Sequence, residues 1–202
     1  MNLWEYERAA WAEGAEIVRG VDEAGAGPLM GPVYAAAVML PRAADIPGLN
    51  DSKKLTEKKR EALYEIITAQ AAAWSVARVE AAEIDEMDIL NARMLAMQKA
   101  LDGLPLRPDL ALIDGNRDHG SRYAIEIPHR LIVGGDGKSA SIAAASILAK
   151  VSRDRYVSTE LDAKYPQYQF AKHKGYGTKL HYEMLDQYGP CPEHRRTFLK
   201  KW

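Results

Sequence analysis

The chain has 202 residues and a mass of 22.4 kDa, with 47% hydrophobic and 27% charged residues, the profile of one globular domain with a substantial core. No apolar run of about 18 residues is present, so no membrane span is expected, and the N-terminal MNLWEYERAAWAEGAE lacks the apolar segment of a secretory signal. The single cysteine, Cys191, excludes an intramolecular disulfide framework and suits a reducing compartment, so a cytoplasmic protein is expected. The net charge of −1 conceals an asymmetry. Residues 150–202 hold eleven Lys/Arg against six Asp/Glu, whereas the other residues hold sixteen against twenty-two. A basic C-terminal part beside an acidic body suits a protein that holds phosphates with one and divalent metal with the other; by itself it is also an uneven surface without function.

In chain order, Ile17–Asp22 reads as a strand, and the glycines and prolines of GAGPLMGP demand a turn before a second, buried strand at Val33–Leu40. The short connection predicts an antiparallel pair. Polar GLNDSKKL (48–55) is loop-like, and Thr56 is placed to cap a helix with Leu63, Ile66 and Ile67 on one face. A strand near Trp74–Val79 follows. Leu90, Met94, Met97 and Leu101 mark an amphipathic helix, so both methionines are expected in the core. LALID (110–114) is a short apolar strand closing on a carboxylate, and Ile125–Ile127 and Leu131–Val133 read as two further strands around Pro128. Residues 138–162 form a long helical segment whose small residues permit close approach to the sheet or to another helix, ending before Tyr165-Pro166. This alternation implies an α/β or α+β sheet protein with no linker between independent cores.

Four acidic residues, Asp22, Glu23, Asp114 and Asp136, sit where strands end or turn, rigidly held yet open to ligand. Asp22 and Glu23 should point to opposite faces of a strand unless the backbone bends at the following glycines. Carboxylates brought together need a compensating cation. Oxygen ligands favour Mg²⁺ or Mn²⁺, and no CxxC or HxxxH pattern offers zinc ligands. Two such ions can activate a water and stabilise the leaving oxygen of a phosphodiester. Taken singly, each Asp is equally a strand end or helix cap, and Asp136 a partner for Lys138 and Ser139.

GVDEAGAGPLMGPVYAAAV (20–38), GLNDSKKL (48–55), EID-x-x-x-IL-x-A-x-x-x-AM (83–97), LIDGN (112–116), SIAAASILAKVSRDR (141–155), HKGYGT (173–178) and GPCPEHRRTF (189–198) together resemble the ribonuclease HII family, the type 2 ribonucleases H, in the family's order and over nearly the whole chain. The resemblance implies an α/β, RNase H-like fold: a mixed central sheet flanked by helices, with a C-terminal helical segment. It implies one catalytic domain over 1–202, with 165–202 as a basic substrate-binding segment. The implied activity is cutting RNA paired with DNA, and cutting 5′ to single ribonucleotides in duplex DNA, leaving 3′-hydroxyl and 5′-phosphate ends. By motif position, Asp22, Glu23, Asp114 and Asp136 match the family's catalytic, metal-holding carboxylates for a two-ion Mn²⁺ or Mg²⁺ site, and Asp154 a supporting acid, alternatively an exposed partner of Arg153 or Arg155. Tyr176 matches the tyrosine that reads the RNA–DNA junction. The family's Gly-basic-Gly loop reads Gly25-Ala26-Gly27 here, leaving its backbone N–H groups to bind phosphate but no cation. Lys53 and Lys54, with His173, Lys174, Arg195 and Arg196, are candidate phosphate contacts. The expected partners are RNA–DNA hybrid and ribonucleotide-containing duplex, bound by a monomer. A DNA-cutting nuclease on the same fold and a non-catalytic hybrid-binding module are the alternatives.

Overall fold

The computed structural model describes residues 3–202. Its centre is a five-stranded mixed sheet in the order β3-β2-β1-β4-β5. β1 (Val18–Ala24) pairs antiparallel with β2 (Val33–Met39), and β2 antiparallel with β3 (Ala73–Val79). On its other side β1 pairs parallel with β4 (Leu110–Asp114), and β4 parallel with β5 (His129–Ile132). The antiparallel pair expected from the GAGPLMGP turn is therefore present. The parallel half puts the C-terminal ends of β1 and β4 side by side, which is where both strands carry carboxylates.

Period-2 alternation in the strands divides the core into two layers. Val33, Ala35 and Ala37 face the short α3 (Ala81–Met87), with Ile84, and α4 (Ile89–Asp102), which contributes Met94, Met97 and Leu101. Ala36 and Val38 face α5 (Ala140–Tyr156), with Ala144, Ile147 and Leu148, and α2 (Glu57–Gln70), with Leu63 and Ile67. The Thr56 hydroxyl accepts the Lys59 N–H at 3.4 Å, as a helix cap should. Ile66, 37% exposed, lies outside the apolar face assigned to it.

α5 is buried almost along its length because its first turns are Ala and Ser. It runs through a π-helical turn at Val157–Leu161 into Asp162–Lys164, so the helix expected over 138–162 is one run over 140–164 that widens near its end. The chain then returns to the sheet's edge: Met30, Val157, Leu161, Tyr168, Phe170 and Cys191 form a separate apolar cluster. The Arg195 N–H donates to Leu29 O at 2.9 Å and the Gly31 N–H to Glu193 O at 2.8 Å, stitching the C-terminal segment onto the loop after β1.

Two expectations are corrected. Ile125 and Ile127 are buried but their segment forms no strand; the Glu126 N–H is taken by the Gln98 side chain at 3.1 Å instead of a ladder. β5 begins at His129, and Val133 lies beyond it, 65% exposed. α1 (Glu5–Ala12) has no counterpart in the sequence reading. It carries the buried Glu7, whose Oε1 accepts from Ser139 Oγ at 2.5 Å and from Ser141 N and Oγ at 2.9 and 2.6 Å, closing the start of α5.

Candidate active site

Asp22 near the end of β1, Asp114 at the end of β4 and Asp136 in the 3-10 turn Gly135–Gly137 each bring one carboxylate oxygen within 4.8 Å of the other two. The turn's backbone fixes this meeting, because the Gly135 N–H donates to Asp114 Oδ1 at 2.6 Å. Asp136 is not the cap of α5. That role belongs to Ser139, whose Oγ accepts the Ile142 N–H at 3.2 Å. The reading of Asp136 as a helix partner is therefore replaced by one in which it faces Asp22 and Asp114.

Glu23 obeys the strand alternation and leaves this cluster. Its Oε1 pairs with Arg93 Nη2 on α4 at 2.7 Å, while Oε2 is buried without a hydrogen-bond partner among the described residues. It still lines the same cleft as Asp22 and Asp114. Burial, followed by Glu23 and Asp114, holds the Asp22 carboxyl well above the usual range. Burial also raises Glu23 against the pull of Arg93, and raises Asp136, with Asp114 adding to it and Lys53 opposing. Lys53 Nζ lies 3.3 Å from Asp136 Oδ2; burial works to lower its pKa, but Asp136 and Asp22 outweigh it and the net shift is upward. Four carboxylates thus have two cations paired with them, Lys53 and Arg93. An all-oxygen donor set, a surplus of negative charge and an orphaned Glu23 oxygen fit a divalent hard cation.

The rim holds the other expected residues. Lys54 Nζ lies 3.7 Å from Asp51 and remains largely exposed. Gly25, Ala26, Gly27 and Tyr176 line the cleft beside the carboxylates, the Tyr176 ring 41% exposed. Gly25 must be glycine: its φ is +92°, and an added Cβ would lie 2.2 Å from Arg153 Nε.

Behind the loop lie two buried guanidiniums. Arg195 donates to the carbonyls of Gly25, Pro28, Gly31 and Ala26 at 2.6, 2.9, 2.9 and 3.1 Å. Arg153 donates to those of Pro32, Lys174 and Met30 at 3.1, 3.1 and 3.2 Å. Burial, with Arg153 next, pulls Arg195 down to about 9. Arg195 is therefore a clamp on the loop, not the phosphate contact expected of it. His173 is likewise structural, buried with its Nε2 3.0 Å from Tyr168 O. Lys174 is occupied by Ser158 and Glu57, and of the four C-terminal candidates Arg196 alone is exposed.

Tyr176 has its own support. The Cys191 N–H donates to His194 Nδ1 at 2.9 Å, which leaves His194 Nε2–H to donate to His181 Nε2 at 3.0 Å. His181 Nδ1–H then donates to Tyr176 O at 2.9 Å. The order holds only if both rings are neutral, and burial, assisted by His173 at His181 and by His181 at His194, pushes each down to about 4.

Asp154 is buried and takes Lys150 Nζ at 2.9 Å, whereas Arg155 turns to Glu61 and Glu65. Lys150, which the sequence reading passed over, lines the cleft with Asp22, Asp114 and Tyr176. Its i, i+4 spacing to Asp154 was the available signal.

Carboxylates converging from the ends of two adjacent parallel strands, Asp22 buried and Asp114 half-buried, beneath a glycine loop and an exposed tyrosine, define a nuclease of the RNase H-like class. The ribonuclease HII family model matches residues 19–202, and the chain belongs to that family. Ribonuclease HII of Caldicellulosiruptor bescii is 53% identical over 199 residues, covering 98% of this chain and 94% of its own. The crystal structure of ribonuclease H2 from Pyrococcus horikoshii OT3 superposes with a TM-score of 0.73 at 30% identity, over 89% of this chain and 92% of that one. RNase HII in its PCNA complex from Archaeoglobus fulgidus gives 0.74 at 25% identity, over 92% and 96% of the two chains. The expected family and RNase H-like fold are thereby established. The chain is an endoribonuclease of the class acting on RNA–DNA hybrids.

Proposed function

We propose that this enzyme cuts RNA strands paired with DNA and also cuts 5′ to single ribonucleotides in duplex DNA, leaving 3′-hydroxyl and 5′-phosphate ends. The observation that carries the reading is one cleft lined by Asp22, Asp114, the Gly25–Gly27 loop and Tyr176, with an Asp136 oxygen within 4.8 Å of oxygens of both aspartates. Asp22, Glu23, Asp114 and Asp136 would hold Mg²⁺ or Mn²⁺, two ions being the number that phosphodiester hydrolysis uses in such sites. Bound there, divalent ions supply charge neutralisation at the phosphate and polarisation of the water and the departing 3′-oxygen.

The chain's own groups do the remainder. Asp114, pinned by the Gly135 N–H, and Asp22, pinned by the Glu23 N–H at 2.7 Å, present oxygens without rearrangement. Lys53 holds Asp136 from the open side of the cleft. The carbonyls of Gly25 and Ala26 turn inward to Arg195, so this loop meets substrate with backbone N–H groups, Ala26 bringing no charge. Tyr176 offers a ring face to the deoxyribose after the ribonucleotide, where a 2′-hydroxyl would crowd it. Residues 165–202 act as the substrate-binding part of a single domain working as a cytoplasmic monomer; no described helix is long and apolar enough to cross a membrane.

The test compares three labelled duplexes with Mg²⁺ and with Mn²⁺: continuous hybrid, DNA with one ribonucleotide, and all-DNA. Cutting of the first two alone supports the proposal. Cutting of all-DNA duplex would make this a DNA nuclease on the same fold, and binding without cutting a hybrid-binding module.

A further inference from the structure

Lys150 places a cation in a cleft whose glycine loop supplies none. Its Nζ lies 5.4 Å from the Tyr176 ring centroid and 2.9 Å from Asp154 Oδ1, one helical turn onward on α5. The lysine side chain is 19% exposed and the Asp154 side chain 10%, so this is not the freely solvated pair that adorns helix surfaces. Asp154 does not neutralise its surroundings, because the buried Arg153 guanidinium also approaches it at 3.9 Å. Two cations against one anion leave this corner positive. Arg153 spends its donors on the carbonyls of Met30, Pro32 and Lys174. Lys150 spends one of its three N–H donors on Asp154, and two remain for the cleft.

We propose that Lys150 is a phosphate-binding residue of the substrate cleft and that Asp154 is its positioning residue. The inference rests on the placement of substrate sugar against Tyr176 argued above. A sugar stacked on that ring carries a phosphate one ester bond away, within reach of an ammonium held 5.4 Å from the ring centroid. The contact is to backbone phosphate, so it adds affinity and register without reading sequence.

The test is equilibrium binding of a fluorescein-labelled duplex containing one ribonucleotide, in Ca²⁺, across a KCl titration. Loss of one phosphate contact in Lys150→Gln lowers the slope of log affinity against log salt by about 0.9 and weakens binding about tenfold. Lys150→Arg restores the slope. Asp154→Asn keeps the slope and weakens binding less, because it loosens the cation without removing it. The double variant Lys150→Gln/Asp154→Asn separates the proposal from a structural ion pair and carries the test where the single variant fails to fold. A merely structural lysine predicts restored binding in the double variant, whereas a phosphate contact predicts the shallow slope retained. An unchanged slope in both variants overturns the proposal while leaving the cleavage reading intact. A wild-type protein that binds no ribonucleotide-containing duplex overturns both.

Discussion

A Cβ built on Gly20 would lie 2.0 Å from the carbonyl carbon of Ser141, so β1 and α5 touch backbone to backbone two residues before Asp22. No side chain can relieve this overlap by rotating, because the obstacle is the helix backbone itself. Gly20→Ala must push the strand and the helix apart. A cost of about 3 kcal/mol, high in the range for overpacking, lowers Tm by about 6–12 °C in a domain of this size. Thermal unfolding checks the first figure. Turnover of the remaining folded enzyme should fall as well, since the displaced strand carries Asp22.

Asp22→Asn separates stability from chemistry. The Asp22 carboxyl is raised by burial and then by Glu23 and Asp114, so its neutral isostere relieves a cost that the ion-free protein bears at neutral pH. The variant should melt a few degrees higher than wild type in EDTA. It should lose the Tm increase that Mn²⁺ confers on wild type, and more than about 100-fold of turnover, beyond what outer-shell partners of metal ligands contribute. A variant that stays as active as wild type would remove Asp22 from the site.

The histidine relay gives a pH signature of definite sign. His181 and His194 have folded pKa values of about 4 against an ordinary 6.5. The unfolded chain therefore takes up protons first as pH falls, and the stability that neutral rings provide is lost from about pH 6.5 downward, levelling near pH 4. Each unit of difference is worth about 1.4 kcal/mol. Urea unfolding across this window, with the imidazoles followed by NMR, checks it; rings titrating near 6.5 in the folded protein would contradict the relay.

Much of this architecture is legible in the chain. β-branched residues leading into Asp22 mark β1, an unbroken apolar run marks β2, and LALID marks β4, because a buried strand closing on Asp-Gly leaves few other uses for those residues. The small residues of SIAAASILAK mark a helix able to approach the sheet or another helix closely, and the structure sets it against the sheet. The carboxylates are legible by their strand-end positions, and the structure brings three of them together while Glu23 turns to Arg93. Arg195 was not legible: its partners are carbonyls about 165–170 positions away in the chain, and a carbonyl acceptor has no residue identity. The same blindness hid Glu7, which meets Ser139 and Ser141 from the far end of the sequence. Ile125–Ile127 misled because burial and β-branching were satisfied without a ladder.

Arg195→Lys should uncouple the loop from the metal site. A lysine cannot span four carbonyls that a guanidinium fork reaches, and leaving buried acceptors unpaired costs about 2–4 kcal/mol. The expected result is a lower Tm and a raised KM for ribonucleotide-containing duplex, with the Mn²⁺-dependent rise in Tm retained. Calorimetry with and without Mn²⁺ distinguishes this from general collapse, which would lose both.

The most direct measurement is high-resolution mapping of the products from a duplex carrying one ribonucleotide, by wild type and by Asp114→Asn. The expected result is a single wild-type cut immediately 5′ to the ribonucleotide, with 3′-hydroxyl and 5′-phosphate ends, and no cut by the variant. A cut elsewhere, or equal cutting by Asp114→Asn, would contradict it.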